Sequence, residues 1–227
     1  MTKPIEDPLD LFTVWYKEVE GSQKSKFLYL IHPIQLGKKI LQSIFGVLFP
    51  AVSRIHSNAV ILATADKQGR PASRVVLLKK YSKEGFFFYT NYGSQKAQDI
   101  AENPQVSFNF YWEFPHRQVR IYGKVKKTSY EDSAAYWDSR PKESQISSFI
   151  SHQSHKIASR KELEEKTKEV ALEYKDKPLP CPEFWGGYVL SPEKFEFWQA
   201  RTHRLHDRMV YEKDAVSGQW STYHLAP

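Results

Sequence analysis

Residues 58–92 decide the fold: NAVILATADKQGRPASRVVLLKKYSKEGFFFYTNY. Three runs, NAVILATAD, ASRVVLLKKY and FFFYTNY, are rich in the β-branched and aromatic residues that strands favour. The short segments KQGRP and SKEG between them each contain a glycine, as tight turns do. The stretch therefore predicts three strands in an antiparallel meander, with the FFFY aromatics in the core.

The strand pattern continues on both sides of a helical middle. QVSFNFYWEF and RQVRIYGKVKKT predict a hairpin, and WGGYVLSPEKFEFWQA, HRLHDRMVYEK and QWSTYHLAP predict further strands near the C-terminus. Five strands by residue 128 indicate a barrel or a sandwich. We expect one α+β domain over residues 1–227, with an antiparallel β-barrel core and peripheral helices.

Several segments predict helices with recognisable caps. Residues 7–20 carry Asp7 at the cap position, Pro8 in the first turn and an apolar stripe that should dock on the protein. A short helix that Ser94 can cap is predicted to end at Pro104. Ser129 and Ser159 are predicted caps of later helices, and the Lys/Glu run of residues 161–169 is typical of a solvated face.

An unusual apolar stretch spans about residues 24–55. No run in it reaches the roughly 18 residues that a membrane span requires, so no span is predicted. Its helical stripe could lie on a membrane surface, but packing on the protein itself is favoured. The stripe consists of Ile40, Leu41, Ile44, Phe45 and Leu48.

The composition limits compartment and partners. The net charge of +7 suits phosphate-bearing partners, from a nucleotide cofactor to nucleic acid. A lone Cys181 leaves no intramolecular disulfide and no Cys-pair zinc site, and no metal is expected. The N-terminus has no signal-peptide core, so a reducing cytoplasm is the expected compartment.

Basic residues are concentrated in FEFWQARTHRLHDRMVY, residues 195–211. In a strand, Arg204, His206 and Arg208 would share one face, because side chains alternate with period two. A cationic face of this kind predicts an anionic ligand.

Eight short motifs carry a more specific pattern: RVVLLK (74–79), FYTNYGSQK (88–96), RQVR (117–120), SRPKESQI (139–146), SHQS (151–154), WGGY (185–188), FWQ (197–199) and RLHDR (204–208). Together with the terminal LAP they resemble the pyridoxamine 5′-phosphate oxidase family, over about residues 7–20 and 57–227. Taken alone, each motif has a plainer explanation; RVVLLK, for example, reads as a buried strand with charged ends.

The resemblance implies a homodimeric, FMN-binding split barrel. It implies oxidation of pyridoxamine or pyridoxine 5′-phosphate to pyridoxal 5′-phosphate, with oxygen as the electron acceptor and hydrogen peroxide as product. The implied FMN contacts are Arg74, Val75, Val76, Leu77, Leu78, Lys79, Tyr89, Thr90, Gln95, Lys96, Gln118, Gln153, Ser154, Trp198 and Arg208. The implied substrate contacts are Lys79, Tyr136, Arg140, Ser144, Arg204, Leu205 and His206, with Arg204 and His206 as catalytic residues.

Departures from the family pattern keep an alternative to the oxidase open. Gln95 stands where the family usually has arginine, and Ser147-Ser148-Phe149 stands where Gly-Ala-Trp is common. Together with the stretch at 24–55, these changes would suit an FMN-binding split barrel with a lost or altered substrate. A basic nucleic-acid-binding barrel is the third hypothesis, but the chain lacks a Gly-x-x-Gly clamp and an aromatic RNP strand, so no nucleic acid is expected.

Overall fold

The computed structural model describes residues 5–31 and 57–227, which form nine strands and five α-helices. The strands are β1 (Ala59–Ala65), β2 (Pro71–Leu77), β3 (Lys80–Ser82), β4 (Gly85–Asn91), β5 (Gln105–Trp112), β6 (Arg117–Lys127), β7 (Trp185–Gln199), β8 (Asp207–Lys213) and β9 (Trp220–His224). The helices are α1 (Pro8–Ile31), α2 (Gln95–Glu102), α3 (Tyr130–Asp138), α4 (Lys142–Ile150) and α5 (Arg160–Glu173).

All nine strands belong to one antiparallel sheet. Its path is β2-β1-β5-β6-β7-β4-β3, and β8 with β9 extends from β7. The sheet curls into a split barrel with helices around it, which confirms the predicted α+β class. The β5–β6 hairpin is confirmed as well, with eight residue pairs from Gln105↔Lys124 to Trp112↔Arg117.

The three-strand meander is wrong beyond its first hairpin. ASRVVLLKKY forms two strands, β2 and β3, and β4 pairs with β3 and β7 instead of β2. The break lies at Leu78 and Lys79, whose backbone N–H groups donate to Asn58 and Phe87 respectively. Because these two bonds lead to different strands, the chain leaves β1 there and starts the β3–β4 hairpin.

The cationic strand face proposed for residues 204–208 is also wrong. After β7 the chain makes a 3₁₀ turn, Thr202–Arg204, and β8 begins only at Asp207. His203 and Arg204 have φ values of 56° and 62°, which no extended strand accommodates. Arg204 and His206 therefore lie on a loop, while Arg208 lies within β8.

Helix α1 docks on the barrel as its stripe predicted. Phe12 is fully buried, and its ring meets those of Phe86 and Phe110 at centroid distances of 5.0 and 5.3 Å. Asp7 caps the helix, accepting from the N–H of Leu9 at 2.8 Å. The predicted end at residue 20 is wrong, because one internal glycine costs only about 1 kcal/mol and the next proline is Pro33.

The inserted stretch lies mostly outside the described residues. Residues 24–31 continue helix α1, whereas the apolar stripe predicted between residues 40 and 48 lies outside the description. In the described part of the chain, no helix has the length and apolar character needed to cross a membrane.

The two glycines of WGGY allow close packing around β7. A Cβ on Gly186 would lie 2.2 Å from Tyr92 Oη, and one on Gly187 would lie 2.9 Å from the ring of Tyr89. Real Cβ atoms do not approach other atoms so closely, so these positions require glycine. The motif thus lets the side chains of Tyr89 and Tyr92 pack closely against β7.

Candidate active site

A cleft of about 460 Å³ opens where the curled sheet does not close. One wall is β2, an edge strand that pairs only with β1. The opposite wall includes residues 89–91 of β4, which pair with β7 but extend past the end of β3. Helices α3 and α4, the loop after α4, Lys79, Lys96 of α2 and Trp185 of β7 form the rest of the lining.

Eleven of the predicted site residues line this cleft: Val75, Val76, Leu77, Lys79, Tyr89, Thr90, Lys96, Tyr136, Arg140, Ser144 and Gln153. Six others line it without having been predicted: Asn91, Pro141, Ser147, Ser148, Ser151 and Trp185. Most of these six lie inside the quoted motifs, although no site role was predicted for any of them.

Val75 shows that β2 is not the buried strand that its apolar run suggests. Its side chain is 64% exposed, and the exposure of β2 alternates along the strand. An apolar edge strand that remains open to solvent offers both side chains and unpaired backbone groups to a ligand or a partner chain.

Lys96 forms one cationic centre of the cleft. The residue is 7% exposed, and its ammonium group donates to Thr90 Oγ1 at 3.2 Å, Ser94 Oγ at 3.0 Å and Gln153 Oε1 at 2.9 Å. Burial, and after it the positive charge of Arg74, lower the pKa of Lys96 to about 8. All three acceptors are uncharged, so an anion would be a stronger partner than any of them.

Behind Lys96, the buried carboxylate of Asp99 organises the start of α2. It accepts from Thr64 Oγ1 at 2.6 Å and from Gln95 Nε2 at 2.8 Å, and Arg74 Nη2 lies 3.6 Å away. The Gln95 side chain is thereby turned toward its own helix, although its backbone N–H donates to Ser154 Oγ at 3.2 Å. Gln95, Arg74 and Ser154 therefore adjoin the Lys96 centre without lining the cleft.

Arg140 forms the second cationic centre, next to Pro141 in the break between α3 and α4. Its Nη2 donates to the Ser144 carbonyl and to Ser148 Oγ, both at 2.9 Å. Its guanidinium lies 4.7 Å from the ring centroid of Trp185, and burial lowers its pKa. The Nη1 atom is buried without a hydrogen-bond partner, so the guanidinium retains an unused donor.

Aromatic rings fill the part of the lining that adjoins Arg140. Tyr89 and Tyr136 stack with centroids 3.9 Å apart, and Trp185 lies nearly parallel to Tyr136 at 6.2 Å. Burial raises the pKa of Tyr89, so its hydroxyl stays protonated at neutral pH. The cleft thus combines flat apolar surfaces with three cationic residues, Lys79, Lys96 and Arg140. Lys96 and Arg140 share no hydrogen-bonding partner.

A second group of predicted residues lies outside the cleft lining. Gln118 of β6 pairs in register with Trp198 of β7, and the Trp198 and His206 rings are 4.7 Å apart. Arg204 is exposed, and Leu205 is 69% exposed. None of these residues lines the cleft of its own chain.

Two predicted FMN contacts have their polar groups engaged elsewhere. Arg208 donates to the buried carboxylate of Glu196 at 2.9 Å and to the carbonyl of Ala226 at 2.8 Å. Although burial opposes it, hydrogen bonds from Arg120 and Arg208 hold the pKa of Glu196 below its usual value. Leu78 is buried in the core, and both its backbone groups bond to Asn58.

Fold and cleft define a split-barrel protein with a cationic, aromatic-lined cleft. Residues 51–174 match the family described as pyridoxamine 5′-phosphate oxidase, and residues 185–227 match the pyridoxine 5′-phosphate oxidase C-terminal dimerisation region. The chain belongs to the pyridoxamine 5′-phosphate oxidase family.

Curated relatives extend the match. Pyridoxine-5′-phosphate oxidase of Bos taurus is 46% identical over 164 residues, which cover 72% of this chain and 63% of the bovine protein. A pyridoxine/pyridoxamine 5′-phosphate oxidase of Flavobacterium johnsoniae is 43% identical over 206 residues, covering 91% and 83% of the two chains.

Solved structures show the same architecture. PhzG from Burkholderia lata, in complex with tetrahydrophenazine-1-carboxylic acid, superposes with a TM-score of 0.71 at 30% identity, covering 85% of this chain and 94% of that one. A pyridoxamine 5′-phosphate oxidase-related, FMN-binding protein from Nostoc punctiforme gives a TM-score of 0.61 at 18% identity, covering 86% and 99%, and supports the fold alone.

Proposed function

We propose that the protein oxidises pyridoxamine 5′-phosphate and pyridoxine 5′-phosphate to pyridoxal 5′-phosphate, with FMN as cofactor and oxygen as electron acceptor. Hydrogen peroxide is the second product, and the amine substrate also consumes water and releases ammonia. The observation that carries the proposal is the pair of separate cationic centres, Lys96 and Arg140, in one aromatic-lined cleft. A flavin phosphate and a vitamin phosphate need two such centres.

The residues around Lys96 suit the FMN phosphate. Lys96 supplies a buried charge, Thr90 and Gln153 supply polar side chains, and α2 begins beside them with the positive end of its dipole. The exposed edge of β2, from Val75 to Leu77, suits the ring, because its free backbone groups can bond to the ring edge. Bound FMN would supply the redox chemistry by accepting two electrons from the substrate and passing them to oxygen.

The residues around Arg140 suit the substrate. Its free Nη1 would bind the vitamin phosphate together with Ser144, and the Tyr136 ring offers a flat surface to the pyridine. Held by its phosphate and by one face of its ring, the substrate would be oriented toward the flavin without a dedicated acid or base. We assign no general base.

We further propose a homodimer in which the loop carrying Arg204 and His206 completes the partner's cleft. An apolar face supports this: Ile61 and Val75 pair across β1 and β2, and Tyr111 lies on the same face of β5. Their side chains are 39%, 64% and 55% exposed. A patch of this kind marks an interface, and the match to a dimerisation region agrees.

Spectroscopy of the purified protein tests the proposal. We expect a yellow protein whose flavin absorbance bleaches when pyridoxamine 5′-phosphate is added without oxygen and returns, with peroxide, when air is admitted. A yellow protein that ignores both vitamin phosphates would instead be a split-barrel flavoprotein with another substrate. Tetrahydrophenazine-1-carboxylic acid, the ligand in the Burkholderia structure, is then the next probe. Failure to bind added FMN would overturn the proposal.

A further inference from the structure

Two neighbouring serines of α4 line the cleft but use their hydroxyls differently. Ser147 donates to the Glu143 carbonyl four residues earlier, at 2.8 Å, as serines within helices commonly do. For Ser148 the corresponding carbonyl is that of Ser144, which accepts from Arg140 instead.

Arg140 therefore leaves the Ser148 hydroxyl hydrogen available. Its Nη2 bonds to both the Ser144 carbonyl and Ser148 Oγ at 2.9 Å, so Ser148 acts there as an acceptor. Within residues 5–31 and 57–227, the Ser148 hydroxyl has no hydrogen-bond acceptor of its own. A hydroxyl that accepts from a cation is also polarised, which makes it a better donor.

We propose that Ser148 is a further binding residue of the cleft: its oxygen holds Arg140 in place, and its hydrogen is donated to the substrate phosphate. The inference rests on the proposed function and adds one residue to it. The phosphate would then accept from both Ser148 and Arg140, whose guanidinium Ser148 holds and whose Nη1 has no other partner. The pair would select phosphorylated over unphosphorylated forms of the vitamin.

The test compares Ser148→Ala with Ser147→Ala in the FMN-loaded enzyme. Losing one hydrogen bond to a charged group, worth about 1.5 kcal/mol, should raise KM for pyridoxamine 5′-phosphate about tenfold in Ser148→Ala, with kcat within about twofold. Ser147→Ala should change KM less than about twofold. In Ser148→Ala, turnover of unphosphorylated pyridoxamine should fall by less than turnover of pyridoxamine 5′-phosphate, because the proposed hydrogen bond is to the phosphate.

Two further measurements separate binding from general damage. Ser148→Thr and Ser148→Val have the same shape, so only the threonine variant should bind pyridoxal 5′-phosphate as the parent does in an equilibrium titration. Equal affinity in these two variants, or equal KM values in the two alanine variants, would overturn the role of Ser148. A parent that binds FMN but neither binds nor turns over vitamin phosphates would overturn the proposed function as well.

Discussion

Lys96 Nζ donates a 2.9 Å hydrogen bond to Oε1 of Gln153, 57 residues further along the chain. This bond joins the start of α2 to the loop after α4, so two distant motifs meet at one cationic centre. Because the lysine is buried among neutral acceptors, its pKa is about 8, and it loses its charge within the pH range of an ordinary binding experiment.

FMN affinity should fall as the pH rises above 8. Burial first, and then the charge of Arg74, lower the pKa of Lys96 to about 8, while Asp99 partly opposes the shift. The flavin phosphate is already a dianion at neutral pH, so it binds best while Lys96 is protonated. We expect affinity nearly constant from pH 7 to 7.5 and a loss of up to about tenfold per pH unit above 8.

Fluorescence titration of the apoprotein with FMN measures this dependence. Lys96→Gln, which cannot titrate, should bind more weakly and show a flat profile over the same range. A parent profile that stays flat to pH 9.5 would show that Lys96 does not face the phosphate.

Gln95→Arg should tighten FMN binding by about 1 kcal/mol, or several-fold, because an arginine–phosphate contact is charge-assisted. In the structure the Gln95 amide instead donates to Asp99 at 2.8 Å. The same flavin titration would show unchanged affinity if Asp99 captured the new guanidinium. Asp99→Asn in the arginine variant would then release it, and affinity should rise.

Arg140→Ala should reduce kcat/KM for pyridoxamine 5′-phosphate about ten- to a hundredfold, because it removes a charge-assisted contact of roughly 1.5–3 kcal/mol. FMN content, read from the absorbance spectrum, should not change, since Lys96 and its partners remain. Unphosphorylated pyridoxamine is the control, and the variant should turn it over about as well as the parent. Equal losses on both substrates would reassign Arg140 to a structural role.

Ile61→Lys should weaken the dimer, since it places a charge in the apolar face of β1, β2 and β5. Light scattering after size-exclusion chromatography should then detect monomers at micromolar concentration. Leu172→Lys is the matched control: Leu172 is 76% exposed on α5, and the variant should remain dimeric. Monomer in both variants, or in neither, would count against this interface.

Local patterns predicted most elements well. The α1 stripe, the β5–β6 hairpin and the capping serines depend on side-chain periodicity and on bonds between near neighbours: Ser129 accepts from the N–H of Asp132, and Ser159 from that of Glu162. Ser94 shows that a local pattern can predict a cap position without predicting the cap hydrogen bond. It occupies the cap position of α2, but its hydroxyl donates to the Asn91 carbonyl instead.

By itself, the sequence determined the fold class, the family and the residue types that a phosphate-binding cleft requires, because periodicity and ordered motifs are local properties. Only the tertiary structure decided that β4 pairs with β7, that Asp99 holds the Gln95 side chain and that Ser148 accepts from Arg140. Strand pairing and hydrogen-bond direction depend on which groups meet in space. A side chain with several possible partners is committed only when packing brings one of them within about 3 Å.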